Sequence, residues 1–130
     1  MIDHVSLEAR DLSAAATFYD AVLAPLEFTR LYNLEETVGY GKGHPEFWLN
    51  ARPDMPSVPA QTGIHVCLRA ANTAIIEAFY AAGLAQGATG DGPPGLRPEY
   101  HASYYAAFLR DLDGNRIEVV TFVEAVEKKT

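Results

Sequence analysis

Three side chains of this chain have the types and the placement to hold a divalent metal ion: His4, His65 and Glu118. Imidazole nitrogen and carboxylate oxygen are ligands that Zn, Fe, Mn and Ni all accept. Two histidines and one acid leave further positions open for substrate or water. The histidines head the same phrase twice. His4-Val5-Ser6-Leu7-Glu8-Ala9 and His65-Val66-Cys67-Leu68-Arg69-Ala70 both read H-V-x-L-x-A, 61 positions apart. The echo continues, with Asp11 answering Asn72, Phe18-Tyr19 answering Phe79-Tyr80, and Ala21, Leu23 and Ala24 answering Ala82, Leu84 and Ala85. Self-similarity at a fixed offset marks two copies of one structural unit.

The elements that position these residues follow from pattern. Ile2 to Ala9 alternates and is β-rich, which predicts a strand; Asp11 caps a helix from Leu12 to Leu23, which Pro25 stops. Three short strands are expected over Glu27 to Tyr32, Thr37 to Gly41 and Glu46 to Asn50, bounded by Asn33, Gly43 and Pro45. Pro53, Pro56 and Pro59 make residues 52–61 an extended linker, because proline fixes φ and has no N–H for a ladder. The second copy repeats the plan: a strand over Thr62 to Ala70, then a helix from Thr73 to Gln86 capped by Asn72. Ile75, Ile76, Phe79, Ala82 and Leu84 supply much of its buried side. Gly90 to Pro98 reads as the longest loop, Tyr104 to Leu109 and Arg116 to Phe122 as strands, and Asp111 to Asn115 as the hairpin turn between them. Each half is therefore β-α-β-β-β. Module one spans about 1–51 and module two about 62–123 within one α+β domain.

Strand parity then decides which side chains can meet. Val5, Leu7 and Ala9 share the face that receives the helix, as do Ile64, Val66 and Leu68; His4 and His65 fall on the opposite face. On the last strand Ile117 and Val119 take the helix side, so Glu118 joins the histidines. If Arg110 faces Arg116 across the hairpin, Phe108 faces Glu118, and Tyr104 and Ala106 share that surface. The expectation is a facial triad in a common concavity. The competing reading is plain structure: a strand histidine is commonly a hydrogen-bonded residue that duplication copies twice, and Glu118 an exposed sheet charge.

The chain resembles a single-domain member of the vicinal oxygen chelate superfamily, the group of glyoxalase I, bleomycin-resistance proteins and extradiol dioxygenases. The resemblance rests on Ile2-Asp3-His4-Val5-Ser6-Leu7, Asp11-Leu12 with Phe18-Tyr19, Gly63-Ile64-His65-Val66, and the run from Phe108 to Glu118. It covers both halves, and that last run is its most specific part, although Leu112 stands where the family commonly has proline. It implies paired βαβββ modules whose curved mixed sheets surround a cavity with helices outside, usually completed in a homodimer. It also implies ligand positions at His4, Trp48, His65 and Glu118. In glyoxalase I the position matched by Trp48 holds a carboxylate; an indole has no lone pair to offer a metal. The four-ligand site is thus broken, while His4, His65 and Glu118 resemble the three-ligand sets of extradiol dioxygenases and fosfomycin-resistance thiol transferases.

Other residues are candidates to line the cavity. Trp48, Phe47, Tyr40, Phe108 and Tyr104 are aromatic, although most aromatic residues of a small domain are core. Trp48 takes the vacated ligand position and can stack on a flat substrate. His101, after the long loop, and Tyr104 are the proton-transfer candidates. Arg69 and Arg97 can hold a carboxylate or phosphate group, and Cys67 shares the face of His65.

Composition narrows the partners. A formal charge of −7 disfavours nucleic acid, and no apolar run approaches the ~20 residues of a membrane span. Cys67 is the single cysteine, which excludes an internal disulfide. No signal segment precedes the first strand, so a cytoplasmic location is expected. The Lys128-Lys129 pair reads as a solvated end. The leading expectation is a metal-dependent enzyme of lyase, dioxygenase or transferase type acting on a small oxygenated molecule. The alternative is a metal-free protein that binds an aromatic or cationic small molecule, as bleomycin-resistance members do.

Overall fold

The computed structural model describes residues 1–124; the lysine pair lies outside them. The duplication is visible as topology. Module one is β1 (Val5–Ala9), α1 (Leu12–Leu23), β2 (Thr29–Asn33), β3 (Thr37–Gly41) and β4 (Pro45–Ala51). Module two is β5 (His65–Arg69), α2 (Thr73–Ala85), β6 (Thr89–Leu96), β7 (Tyr104–Arg110) and β8 (Arg116–Phe122). Their sheets have the same order, β1-β4-β3-β2 and β5-β8-β7-β6, with β1 parallel to β4, β5 parallel to β8 and antiparallel ladders elsewhere. This is the two-module α+β arrangement that the repeat predicts.

Local chemistry sets the helix starts. Asp11 Oδ1 accepts the Ala14 N–H at 3.1 Å and Asn72 Oδ1 accepts the Ile75 N–H at 3.0 Å, each supplying a partner for a first-turn donor. After Leu23 the chain tightens into a 3-10 turn over Ala24–Leu26 that accommodates Pro25, and Glu27 takes φ 64°. Both helices contribute to one hydrophobic cluster. Phe18, Tyr19, Val22 and Leu23 of α1 meet Ile76 and Phe79 of α2 together with Phe47, Leu49, Leu109, Ile117 and Val119 from the sheets. Neither module is a core by itself.

The most specific sequence run turns out to be architectural. Asp111 is buried in the β7–β8 turn, where it accepts the Tyr19 hydroxyl at 2.5 Å, the N–H groups of Asp113 and Asn115, and the Asn115 side-chain amide. Asp113 accepts the Arg10 N–H and Nε–H, both at 3.0 Å, and its carbonyl takes the Val58 N–H. Gly114 closes the turn at φ 91°, a conformation that costs a residue with a Cβ. The hairpin of module two thereby grips the helix of module one and the linker.

Three expectations are corrected. Gly90 to Pro98 is not one loop: Gly90 to Leu96 belong to β6, an edge strand broken by register shifts between Gly90 and Gly92 and between Gly92 and Gly95, and only Arg97 and Pro98 lie beyond it. Glycine and proline are tolerated there because an edge needs only one ladder and bulges absorb the rest. Leu84 is 46% exposed, while Gly83 takes the buried place against Leu109. The strands expected from Ile2 and from Thr62 begin only at Val5 and His65, so His4 stands just before β1.

Candidate metal centre

β5 and β8 run parallel with Cys67 opposite Glu118, which places His65 one step away from the carboxylate on the face opposite the helices. His65 Nε2 and Glu118 Oε1 are 2.9 Å apart. The other oxygen, Oε2, accepts the Tyr104 hydroxyl at 2.5 Å. The β7–β8 register is the expected one, Arg110 with Arg116 and Phe108 with Glu118. Glu118 is 3% exposed, a carboxylate withdrawn from water with an imidazole and a phenol as its side-chain partners. Withdrawn charge is costly unless compensated, so this pair is a place where a cation is favoured. The donor set, one nitrogen and one oxygen on rigid neighbouring strands, fits a divalent ion as two of its ligands.

The surroundings are aromatic and cationic. Phe108 is buried beneath the pair, its ring 6.2 Å from that of His65, with the Arg116 guanidinium 4.6 Å above it. Arg69 lies 4.6 Å over Phe122 on the same open face. Desolvation, then the bond to Glu118, raises the Tyr104 hydroxyl pKa above the usual phenol value, so at neutral pH it is a donor and not a base. Desolvation along the face and the nearby Glu118 carboxylate push the Cys67 thiol up to about 12, which leaves it protonated and unreactive. A cleft of about 280 Å³ opens at the seam between the modules, bordered by Ser6, Glu8, His65 and Arg116.

His4 does not join this pair within one chain. It sits exposed before β1, with Nδ1 2.7 Å from Asp3, whose other oxygen is 3.0 Å from His44. Among the described residues, no three His, Cys, Asp or Glu side chains come together as a metal set. The registers explain where the equivalent corner lies. Ser6 pairs with Trp48 as Cys67 pairs with Glu118, so His4 and Trp48 occupy in module one the places of His65 and Glu118 in module two.

Of the remaining candidates, Phe47 and Tyr40 are corrected: both are fully buried on the helix side. Phe47 packs on Tyr19, and the Tyr40 hydroxyl donates toward the Ala16 carbonyl and Asp20. Parity already forbids Phe47 and its neighbour Trp48 from sharing a face. Trp48 is on the open face, as expected. Arg97 is engaged, with its guanidinium on the Pro93 and Gly95 carbonyls and 5.7 Å from Phe108, so it braces β6. His101 Nδ1 accepts the Ser103 N–H, and its ring packs edge-on to Phe122 at the rim of the face. Tyr32, which the sequence does not single out, also lies on the open face, paired with Gly39 and with its ring 5.5 Å from that of Trp48.

Residues 1–119 match the family described as the Glyoxalase/Bleomycin resistance protein/Dioxygenase superfamily. A glyoxalase/bleomycin resistance protein from Albidiferax ferrireducens is 30% identical, with 91% of this chain and 95% of that one covered and a TM-score of 0.77. A glyoxalase/bleomycin resistance protein/dioxygenase family enzyme from Burkholderia phytofirmans is 17% identical over 94% of this chain and 98% of that one, TM-score 0.73. A mutant of FosX, a fosfomycin resistance protein from Listeria monocytogenes solved with Mn(II) and 1S,2S-dihydroxypropylphosphonic acid, is 13% identical over 95% and 91%, TM-score 0.71. Among curated proteins, none matches.

Proposed function

The chain belongs to the Glyoxalase/Bleomycin resistance protein/Dioxygenase superfamily, and on that premise we propose that it is a metal-dependent enzyme acting on a small oxygenated molecule. A divalent ion would be held by His65 and Glu118 of one protomer together with His4 of the partner subunit in a homodimer. One observation carries the reading: a carboxylate 3% exposed, with one oxygen on an imidazole 2.9 Å away and the other fixed by a tyrosine. Two lines support the partner's contribution. His4 stands at the module-one position equivalent to His65, yet among the described residues its side-chain partner is Asp3 and it joins no set of three ligands. The open faces also differ in charge: Glu8 and Glu46 lie on the first sheet, while on the second Arg110 and Arg116 share Asp91 at 3.5 and 2.8 Å and Arg69 adds a further positive charge, so one protomer's first sheet complements the other's second around Arg69.

A divalent ion there supplies Lewis acidity toward an oxygen of the substrate. The chain's own residues do the rest. Tyr104 engages Glu118 Oε2, which would leave Oε1, beside His65, to hold the ion, and so acts as a positioning residue. Phe108 closes the floor against water. Arg69, propped on Phe122, presents its guanidinium edge to an anionic group, while Arg116 over Phe108 is held by Asp91 at 2.8 Å. With Nδ1 occupied by Ser103, neutral His101 carries its proton on Nε2 and donates from the rim.

Metal analysis after equilibration with Mn, Fe, Zn or Ni tests this. The native protein is expected to retain one ion per chain. Glu118→Gln and His65→Ala lose it, and Tyr104→Phe binds about 10- to 100-fold more weakly, as loss of an outer hydrogen bond does. Absence of any bound ion in the native protein defeats the reading. It would favour the metal-free binder, for which Trp48 in the place of a carboxylate speaks.

A further inference from the structure

We infer that Trp48 and Tyr32 form an aromatic shelf on the open face of the first sheet, and that this shelf seats a planar ring of the small-molecule ligand. The inference rests on the proposed pairing of sheet faces for what lies opposite the shelf. It goes beyond that reading in naming the ligand's shape.

The shelf is built by backbone. Gly39 lies under the indole: a Cβ there would stand 2.7 Å from Trp48 Cζ3 and 2.9 Å from Cε3, closer than carbon atoms approach. Only glycine lets the ring rest flat on β3. Tyr32 is brought beside it by a β-bulge. Arg30 pairs with Tyr40 and Tyr32 with the very next residue, Gly39, so Leu31 is the extra residue. The bulge turns Arg30 to the helix side, where it binds Asp20 at 2.6 Å, and Tyr32 to the open side. There its ring lies 5.5 Å from the indole, tilted 31°, and the residue is 48% exposed. Leu31, at 37%, is left at the surface by the same device.

The matching positions in module two show that the shelf is not a by-product of the fold. Across β2-β3-β4 the register reads Tyr32, Gly39, Trp48; across β6-β7-β8 it reads Gly92, Phe108, Glu118. The glycine has changed strands. In module two it makes room for Phe108, the floor beneath the carboxylate, and in module one for an indole where that carboxylate would be. By register Trp48 answers Glu118 and His4 answers His65, so in the proposed dimer the indole would border the ion. The arginines opposite are already laid over Phe108 and Phe122, each at 4.6 Å, which leaves the indole's outer face for a ligand. A flat face backed by peptide rewards a flat partner through dispersion and ring quadrupoles; a puckered ring touches it at a few atoms only.

The test uses two probes of the same charge and similar size, naphthalene-2-carboxylate and decalin-2-carboxylate, added to the full chain both metal-loaded and in EDTA. Trp48 is the single tryptophan, so one indole N–H resonance reports on the shelf. Naphthoate is expected to shift that resonance saturably and, by calorimetry, to bind about five-fold or more tighter than decalin carboxylate. Trp48→Leu removes the preference, and Gly39→Ala, which keeps the indole but lifts it, weakens naphthoate by a similar factor with an unchanged circular dichroism spectrum. Equal affinity for the two probes, or an indole resonance that naphthoate leaves in place, overturns the shelf. Naphthoate preference in EDTA by a protein that takes no metal would uphold the shelf and defeat the metal reading alone. A full complement of metal with an unmoved indole does the reverse.

Discussion

At the scale of single residues, Asp111 shows how buried charge is managed away from the candidate site. Loss of water lifts its carboxyl above the usual carboxylate range, against the pull of the hydrogen bonds from Tyr19, Asn115 and Asp113. A raised folded value means that this group's stability is whole below its unfolded pKa and fades as pH rises through the folded one. The Tyr19 bond offsets part of that loss by favouring the ion. Tyr19→Phe is therefore expected to cost about 1–3 kcal/mol at neutral pH. The deficit shrinks near pH ~4, where the carboxyl carries its own proton. Urea unfolding at the two pH values checks this; a deficit that grows in acid would contradict it. Residue type and strand parity suffice to put His65 and Glu118 on one face, where the structure has them 2.9 Å apart; Trp48 is picked out by the family resemblance instead. Residue type alone misplaced Phe47 and Tyr40, since an aromatic residue declares its bulk and not its side, and a neighbour's parity had to be consulted.

At the scale of elements, the helices and strands were legible wherever period and caps agreed, as in α1, α2, β7 and β8. β6 was not, because its glycines and prolines are turn formers whose edge position and bulges are tertiary facts. Nor was the burial of Gly83 in α2. A Cβ there would fall 2.2 Å from Leu109 Cδ1, where helix and β7 touch. Alanine is the better helix former by about 1 kcal/mol, yet overpacking costs ~1–3 kcal/mol. Gly83→Ala is therefore expected to destabilise the protein, and pairing it with Leu109→Val to recover most of the loss. Thermal melts of the three variants measure the coupling, and a stabilising Gly83→Ala would show that α2 can shift away.

At the scale of the whole molecule, the duplication predicted the architecture but not the separation of His4 from His65 and Glu118. The repeat places two histidines equivalently; it does not bring them to one point. If His4 serves the partner's site, inactive variants should repair one another. His4→Ala and His65→Ala each lose metal alone. Refolded together in equal amounts, half of the dimers are mixed and each mixed dimer has one intact site, so about a quarter of all sites should return. No recovery on mixing would confine the site to one chain, and metal retained by His4→Ala alone would remove His4 from it.

The exchange of a glycine between β3 and β6 has a further consequence. Once Gly39 took the small position in one copy and Gly92 in the other, the halves stopped being interchangeable. A change beneath the indole is expected to move the aromatic surface of the first sheet alone, because the His65–Glu118 contact is built wholly from β5 and β8.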